Sequence, residues 1–159
     1  MTDYGRILLA AFGSFSLLVG ALMSQYVGGL PPCTMCIWQR WPHLAAVLIA
    51  VFAVTLGWRY RRFLSGLGGL AALTTAAVGA FHAGVEQGWW EGPSTCTSPG
   101  LGTMSTDEAF AHMMEAPLVR CDDIVWQFGL TLAGWNAAIS ALLAGLWFWA
   151  VCQPFNPAR

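Results

Sequence analysis

Four long stretches of this chain, 7–27, 37–56, 66–85 and 124–151, are apolar nearly all the way round. Each is long enough to cross a hydrocarbon core, which takes about 20 helical residues. They lack the alternation of barrel strands, so helices, which satisfy every backbone group locally in lipid, are predicted. Polar positions are so few that helical periodicity does not separate a buried face from a lipid face. The fourth stretch is longer than a crossing needs, which leaves its first residues to a loop or an interfacial helix. The first is too long for the apolar part of a typical signal peptide, and three similar stretches follow, so it is read as a span. The fold class expected is an all-α membrane protein: a four-transmembrane-helix bundle, one integral membrane domain over 1–159, with two periplasmic loops at 28–36 and 87–123.

Composition agrees with this pattern. Hydrophobic residues make up 57% of the 159 and charged residues 9%, against roughly 25% charged in a soluble domain. A net charge of −1 provides no bulk field toward nucleic acid or anionic lipid. The seven basic residues are all arginine. Arg6, Arg59, Arg61, Arg62 and Arg159 fall on the side of the termini and the 58–63 loop, while Arg40 and Arg120 fall on the other. The excess places both termini in the cytoplasm. Trp38, Trp41, Trp89, Trp90 and Trp126 then sit at outer span ends, and Trp58, Trp147 and Trp149 at inner ends. Indole prefers that depth, so these are read as interfacial anchors. Trp135, beside Asn136, lies within a span.

The cysteines carry the candidate chemistry. Cys33 and Cys36 lie in the first outer loop, Cys96 and Cys121 in the second, and Cys152 at the inner end of the fourth span. Four thiols therefore face the compartment where disulfides persist, in two loop-segregated pairs. Cys33-Thr34-Met35-Cys36 is a C-x-x-C, a spacing shared by redox dithiols and metal sites. Pro31-Pro32 holds its approach extended. Arg40 lies four residues after Cys36; on a helix both share a face, and a guanidinium there favours a thiolate. Pro42 leaves two placements open. If it lies inside the helix that argument stands; if it is the first helical residue, 33–41 is irregular and the argument lapses. Read alone, Arg40 is a snorkelling interfacial charge.

Cys96 sits among Gly, Pro, Ser and Thr, which marks an exposed loop, and Cys121 just before the fourth span. Between them, 105–108 matches a capping box and 109–116 a short helix, with Phe110, Met113 and Met114 resting on the membrane surface. Read alone, this second pair is equally a structural staple. His82 and Glu86, four apart near the outer end of the third span, share a helical face. They read as an interfacial hydrogen-bonded pair or as a proton relay. Gln39, His43 and Asn136 are polar groups within spans, which usually bond across helices. Cys152 is read as an inert buried thiol.

Cys33-x-x-Cys36-x-x-x-Arg40 at the opening of span two, four spans, a second cysteine pair in the second outer loop, Cys121-Asp122-Asp123 and Gly134-Trp135-Asn136 together resemble the DsbB family of bacterial disulfide-bond formation proteins. The resemblance covers nearly the whole chain. It implies a quinone-dependent oxidoreductase of the bacterial inner membrane, part of the thiol-to-quinone route that keeps a periplasm oxidising. It also implies roles: Cys36 engages the quinone, Cys33 is its disulfide partner and exchanges with the second loop, Cys96 is attacked by the reduced partner, and Cys121 resolves. The implied partner is a DsbA-like periplasmic thioredoxin-fold oxidase; the implied cofactor is ubiquinone or menaquinone from the respiratory pool. Arg40 would help hold it, and Ile37, Trp38 and Trp41 are candidate walls of its slot. No role carries over for His82 or Glu86.

Three other readings stand beside this one. The first is a non-catalytic membrane protein stapled by loop disulfides. The second is a zinc site of four thiolates, Cys33, Cys36, Cys96 and Cys121, which an oxidising compartment disfavours; no metal is expected. The third is a specialised relative with a dedicated partner.

Overall fold

A computed structural model of the chain describes residues 3–56, 58–93, 96, 105, 120–122 and 124–153. It contains helices α1 (Asp3–Tyr26), α2 (Thr34–Thr55), α3 (Trp58–Glu86) and α4 (Leu132–Cys152), with strands β1 (Trp126–Gln127) and β2 (Leu130–Thr131) just before α4. All four helices are long and apolar enough to cross a membrane. Apart from Ser105, the capping box and surface helix expected at 105–116 lie outside the described residues, as does Arg159.

Four helix starts differ from the hydropathy reading, α1 beginning at Asp3 instead of 7, and the other three each have a local reason. Helix α2 starts at Thr34 because the Cys33 sulfur caps it, accepting the Cys36 backbone N–H at 3.2 Å. A side-chain acceptor at this position satisfies one of the free donors of a helix start. Pro42 therefore lies inside the helix, and the irregular alternative for 33–41 does not hold. Helix α3 starts at Trp58 instead of 66, since the arginine-rich segment is helical too. Helix α4 starts at Leu132, not 124, because the preceding residues form an antiparallel hairpin pairing Trp126 with Thr131 and Gln127 with Leu130. Its turn, Phe128-Gly129, has φ of 49° and 87°. Two successive positive φ values give the strand-matching twist of a tight hairpin. Thr131 then caps α4, its hydroxyl accepting the Gly134 N–H at 3.0 Å.

The helices form a square in which α1 and α3 each pack against both α2 and α4. The packing inverts the soluble pattern. Buried positions are small, among them Ala10, Ser14, Ala50, Ala53, Ser65, Ala72 and Ala144, while Phe12, Phe63 and Leu142 are exposed. Lipid is as apolar as leucine, so large side chains gain nothing by facing inward, and small ones let backbones approach. One core cluster joins Ile7, Ala50, Ala72, Leu143 and Ala150 around Trp147. Trp147 is fully buried, which corrects its reading as an interfacial anchor. It fills space left by Gly68, where an added Cβ would lie 2.7 Å from three ring atoms. Arg6 instead stacks over Trp149, 4.5 Å from the ring centroid, and Arg62 donates to the Gln153 carbonyl at 2.9 Å.

Gly68→Ala is expected to destabilise the purified protein by about 1–3 kcal/mol through overpacking against Trp147. Gly66→Ala, with nothing within 4 Å of the new methyl, is expected to stay within about 0.5 kcal/mol of the parent, the usual range for a change away from such features. Unfolding titrations in mixed micelles check both. Equal effects at the two positions would contradict this account of the α3–α4 contact.

Candidate functional site

The end of the bundle remote from Trp147 gathers the sulfurs. Cys33, Met35, Val85, Cys96 and Cys121 form one buried cluster, with Cys36 packed against it. Cys96 and Cys121 are joined in a disulfide, whereas Cys33 and Cys36 are free. The four-thiolate set is therefore not assembled, since two of its sulfurs are bonded to each other. Among the described residues, Cys33, Cys36 and His82 are the group that brings ligand-type atoms within 4.8 Å of one another. Cys152, at the far end of α4, is exposed, which corrects its reading as a buried thiol.

The two free thiols are not equivalent. Cys33 Sγ donates to Cys36 Sγ at 2.8 Å. That hydrogen bond, and then burial, push the Cys33 thiol above its ordinary range. Cys33 holds its proton, and Cys36 is the sulfur that receives it as a hydrogen bond. Cys36 also lies in the first turn of α2, where the unpaired N–H groups and the helix dipole favour negative charge.

Beneath the sulfurs runs a chain of polar side chains that fixes its own donors and acceptors. Asn136 Nδ2 donates to Gln39 Oε1 at 2.6 Å and to Thr75 Oγ1 at 3.3 Å. Asn136 Oδ1 is thereby left to accept from His43 Nε2 at 2.9 Å. Gln39 Nε2 donates to the Met35 carbonyl at 3.2 Å and meets His82 Nδ1 at 3.0 Å. His82 Nδ1 must accept there, so the proton of the neutral ring sits on Nε2. That nitrogen lies 3.1 Å from the Cys121 carbonyl, 3.6 Å from Cys33 Sγ and 3.9 Å from Glu86 Oε1. The polar residues noted within the spans thus do bond across helices. Thr75 and Ser140, which join them, carry no distinguishing signal in sequence.

A cavity of about 640 Å³ opens between α1, α2 and α4, reaching from Cys33 and Cys36 past Arg40 to His43 and Asn136. Three of its lining side chains hold a buried polar atom without a partner: Arg40 Nε, His43 Nδ1 and Glu86 Oε2. Arg40 shares a helix and the cavity with Cys36, but its guanidinium turns to α1, donating to Gln25 Oε1 at 2.6 Å and to the Ala21 carbonyl at 3.5 Å. Gln25 was missing from the sequence-derived site. So was the α1 wall of Ser16, Gly20, Ala21 and Ser24, legible only as a run of small residues. Ile37, Trp38 and Trp41 do not line this cavity; their exposures of 42, 44 and 67% put them on the outer face of α2. A residue adjacent to Cys36 in sequence points about 100° away from it on a helix, since 3.6 residues make a turn. Arg120 also lines the cavity and donates to Asp122 at 2.9 Å, which holds the Asp122 carboxyl below its usual range.

A free dithiol at a helix start, packed on a disulfide at one end of four membrane-crossing helices, defines a membrane thiol–disulfide protein. Residues 5–150 match the family described as "Disulfide bond formation protein DsbB", and the chain belongs to that family. Proteins named "Disulfide bond formation protein B" are 31% identical in Neisseria meningitidis serogroup C, over 86% of this chain and 89% of that one. In Azoarcus sp. the figure is 35% over 83% of each, and in Marinobacter nauticus 28% over 97% and 93%. No solved structure matches significantly. The protein is therefore a multi-pass membrane protein of disulfide-bond formation.

Asn136→Leu is expected to lower stability by about 1–2 kcal/mol, because it strands Gln39 Oε1 and leaves His43 Nε2 only the Ser140 hydroxyl at 3.4 Å, where lipid supplies no replacement. Unfolding of the variant in mixed micelles measures this, and a value indistinguishable from the parent would mean that the polar chain holds nothing together.

Proposed function

We propose that this chain is a protein-thiol:quinone oxidoreductase that reoxidises a DsbA-like periplasmic thioredoxin-fold partner through its two cysteine pairs. The observation that carries the reading is the cavity, which begins at the Cys36 sulfur and continues between lipid-facing helices. Its volume falls in the range of small-molecule sites, about 300–1,000 Å³. Its walls fit a quinone: mostly apolar, with the unpartnered atoms of Arg40, His43 and Glu86 available to a polar head. A ubiquinone or menaquinone bound there supplies a two-electron acceptor. Cys36 lines the cavity beside Cys33, and the Arg40 guanidinium, anchored by Gln25, supports negative charge along that wall.

Each exchange in this proposal is thiolate attack on a disulfide. The partner's thiolate attacks Cys96, its bond to Cys121 breaks, and the Cys121 thiolate is released beside Cys33. When Cys33 and Cys36 are paired, Cys121 attacks Cys33 and Cys36 leaves as the thiolate facing the cavity. Exchange carries the electrons from pair to pair without free intermediates. The arginine excess supports termini in the cytoplasm and both cysteine loops in the periplasm. A purely structural role suits the Cys96–Cys121 bond but gives no reason for a free dithiol packed against it.

In the test, the purified protein receives reduced DsbA-like partner and a soluble quinone, followed optically. Cys36→Ser is expected to abolish quinone reduction, and the proposal fails if the variant proceeds at the parental rate. Arg40→Leu is expected to lower kcat/KM for the quinone by about tenfold or more, equivalent to about 1.4 kcal/mol of lost transition-state stabilisation.

A further inference from the structure

The buried imidazole of His82 has no part in the reading above, yet it touches both cysteine pairs. It is 3% exposed and projects from α3 between the first turn of α2 and the segment carrying Cys121. Its Nδ1 is occupied by the Gln39 amide of α2, and its Nε2 faces the Cys121 carbonyl and Cys33 Sγ. Cys121 otherwise belongs to a buried cluster with Met35 and Val85. Apolar contact is non-directional and sets no orientation. A hydrogen bond does, and this one ends on the backbone of the cysteine whose sulfur must meet Cys33.

We infer that His82 is a positioning residue for exchange between the two cysteine pairs, holding the Cys121 backbone beside Cys33 through its Nε2–H. This rests on the proposed relay, in which the bond between pairs forms between Cys33 and Cys121. His82 exchanges no electrons and keeps its proton throughout. Sulfur of Cys121 bonds to sulfur of Cys33 as the Cys33–Cys36 bond breaks, and the electron pair leaves on Cys36. What His82 supplies is the high local concentration of one thiol at the other. Gln39 makes the arrangement specific: its amide occupies Nδ1, so the neutral ring can donate only from Nε2. The charged and titratable groups around the ring are Cys33, Cys36, Arg40 and His43 from α2, Glu86 from α3, and Arg120 with Asp122 beside Cys121.

The full-length chain with Cys36, Cys96 and Cys152 as serine leaves Cys33 and Cys121 to pair with each other. Equilibrated with a glutathione redox buffer in micelles, it yields the effective concentration of the two thiols, with no quinone present. His82→Leu is expected to lower that concentration about tenfold, the equilibrium value of one buried hydrogen bond. His82→Gln, which keeps a donor near the Nε2 position, is expected to stay within about threefold of the parent. An unchanged value in the leucine variant, or equal losses in both, overturns the inference. If the leucine variant does not fold, the glutamine variant and nitrogen NMR of the histidine-labelled parent decide. The parent ring is expected to carry its proton on Nε2; a proton on Nδ1 overturns the inference, because Nε2 then has none to give. Since the measurement uses no quinone, its failure is separate from failure of the Cys36 test.

Discussion

Polar side chains within a lipid-facing bundle have only one another for hydrogen-bond partners, and that constraint organises the cysteine end of this protein. Asn136 of α4, Gln39 and His43 of α2, Thr75 and His82 of α3 satisfy one another in a single connected chain. Each member fixes the donor or acceptor role of the next, so the chain favours one mutual register of the helices. Apolar packing among alanines tolerates small slips; this chain does not. The clustered cysteines sit at its end. Cys33 stands where α2 begins, and the ring that ends the polar chain lies 3.6 Å from its sulfur.

The other half of the bundle is built differently. There the contact is shape alone: Trp147 lies in the notch of Gly68, and alanines pack around it. Lipid offers no hydrophobic drive for helices to associate, so close packing of small residues must supply the attraction through dispersion. The two halves divide the work. The small-residue end gives adhesion, and the polar end gives orientation. The cavity lies toward the polar end, where residues too few to fill the space between α1 and α4 leave room.

Much of this was legible in sequence, and the reasons it was not complete are physical. Hydropathy identifies four spans because a bilayer demands length and apolarity, and both are local properties. It left the first residues of the fourth stretch to a loop or an interfacial helix without placing the start of α4, since Trp126, Phe128 and Leu130 are as apolar as the helix that follows, while the hairpin depends on the turn at Phe128-Gly129. The cysteine pairs were visible by spacing and loop position, but that Cys96 and Cys121 are joined while Cys33 and Cys36 are free was not. Arg40 was expected to turn to Cys36; it bonds to Gln25, which lies on another helix and in no motif. Ile37, Trp38 and Trp41 were chosen by proximity in sequence, and a helix sends such neighbours to different faces. What the sequence could not express was which side of each helix looks inward, because in lipid both sides are apolar.

The position of one sulfur follows from all of this. Cys33 belongs at once to the helix cap, to the dithiol and to the cluster around the loop disulfide. Cys36, one turn further along, packs against that cluster, and both sulfurs line the cavity. A C-x-x-C set across a helix start therefore brings the dithiol, the loop disulfide and the cavity to one point. The rigidity demanded of α2 at that point explains why its first turn is held so thoroughly: by Pro31-Pro32 before it, by the Cys33 cap, by Gln39 to α3 and α4, and by Arg40 to α1.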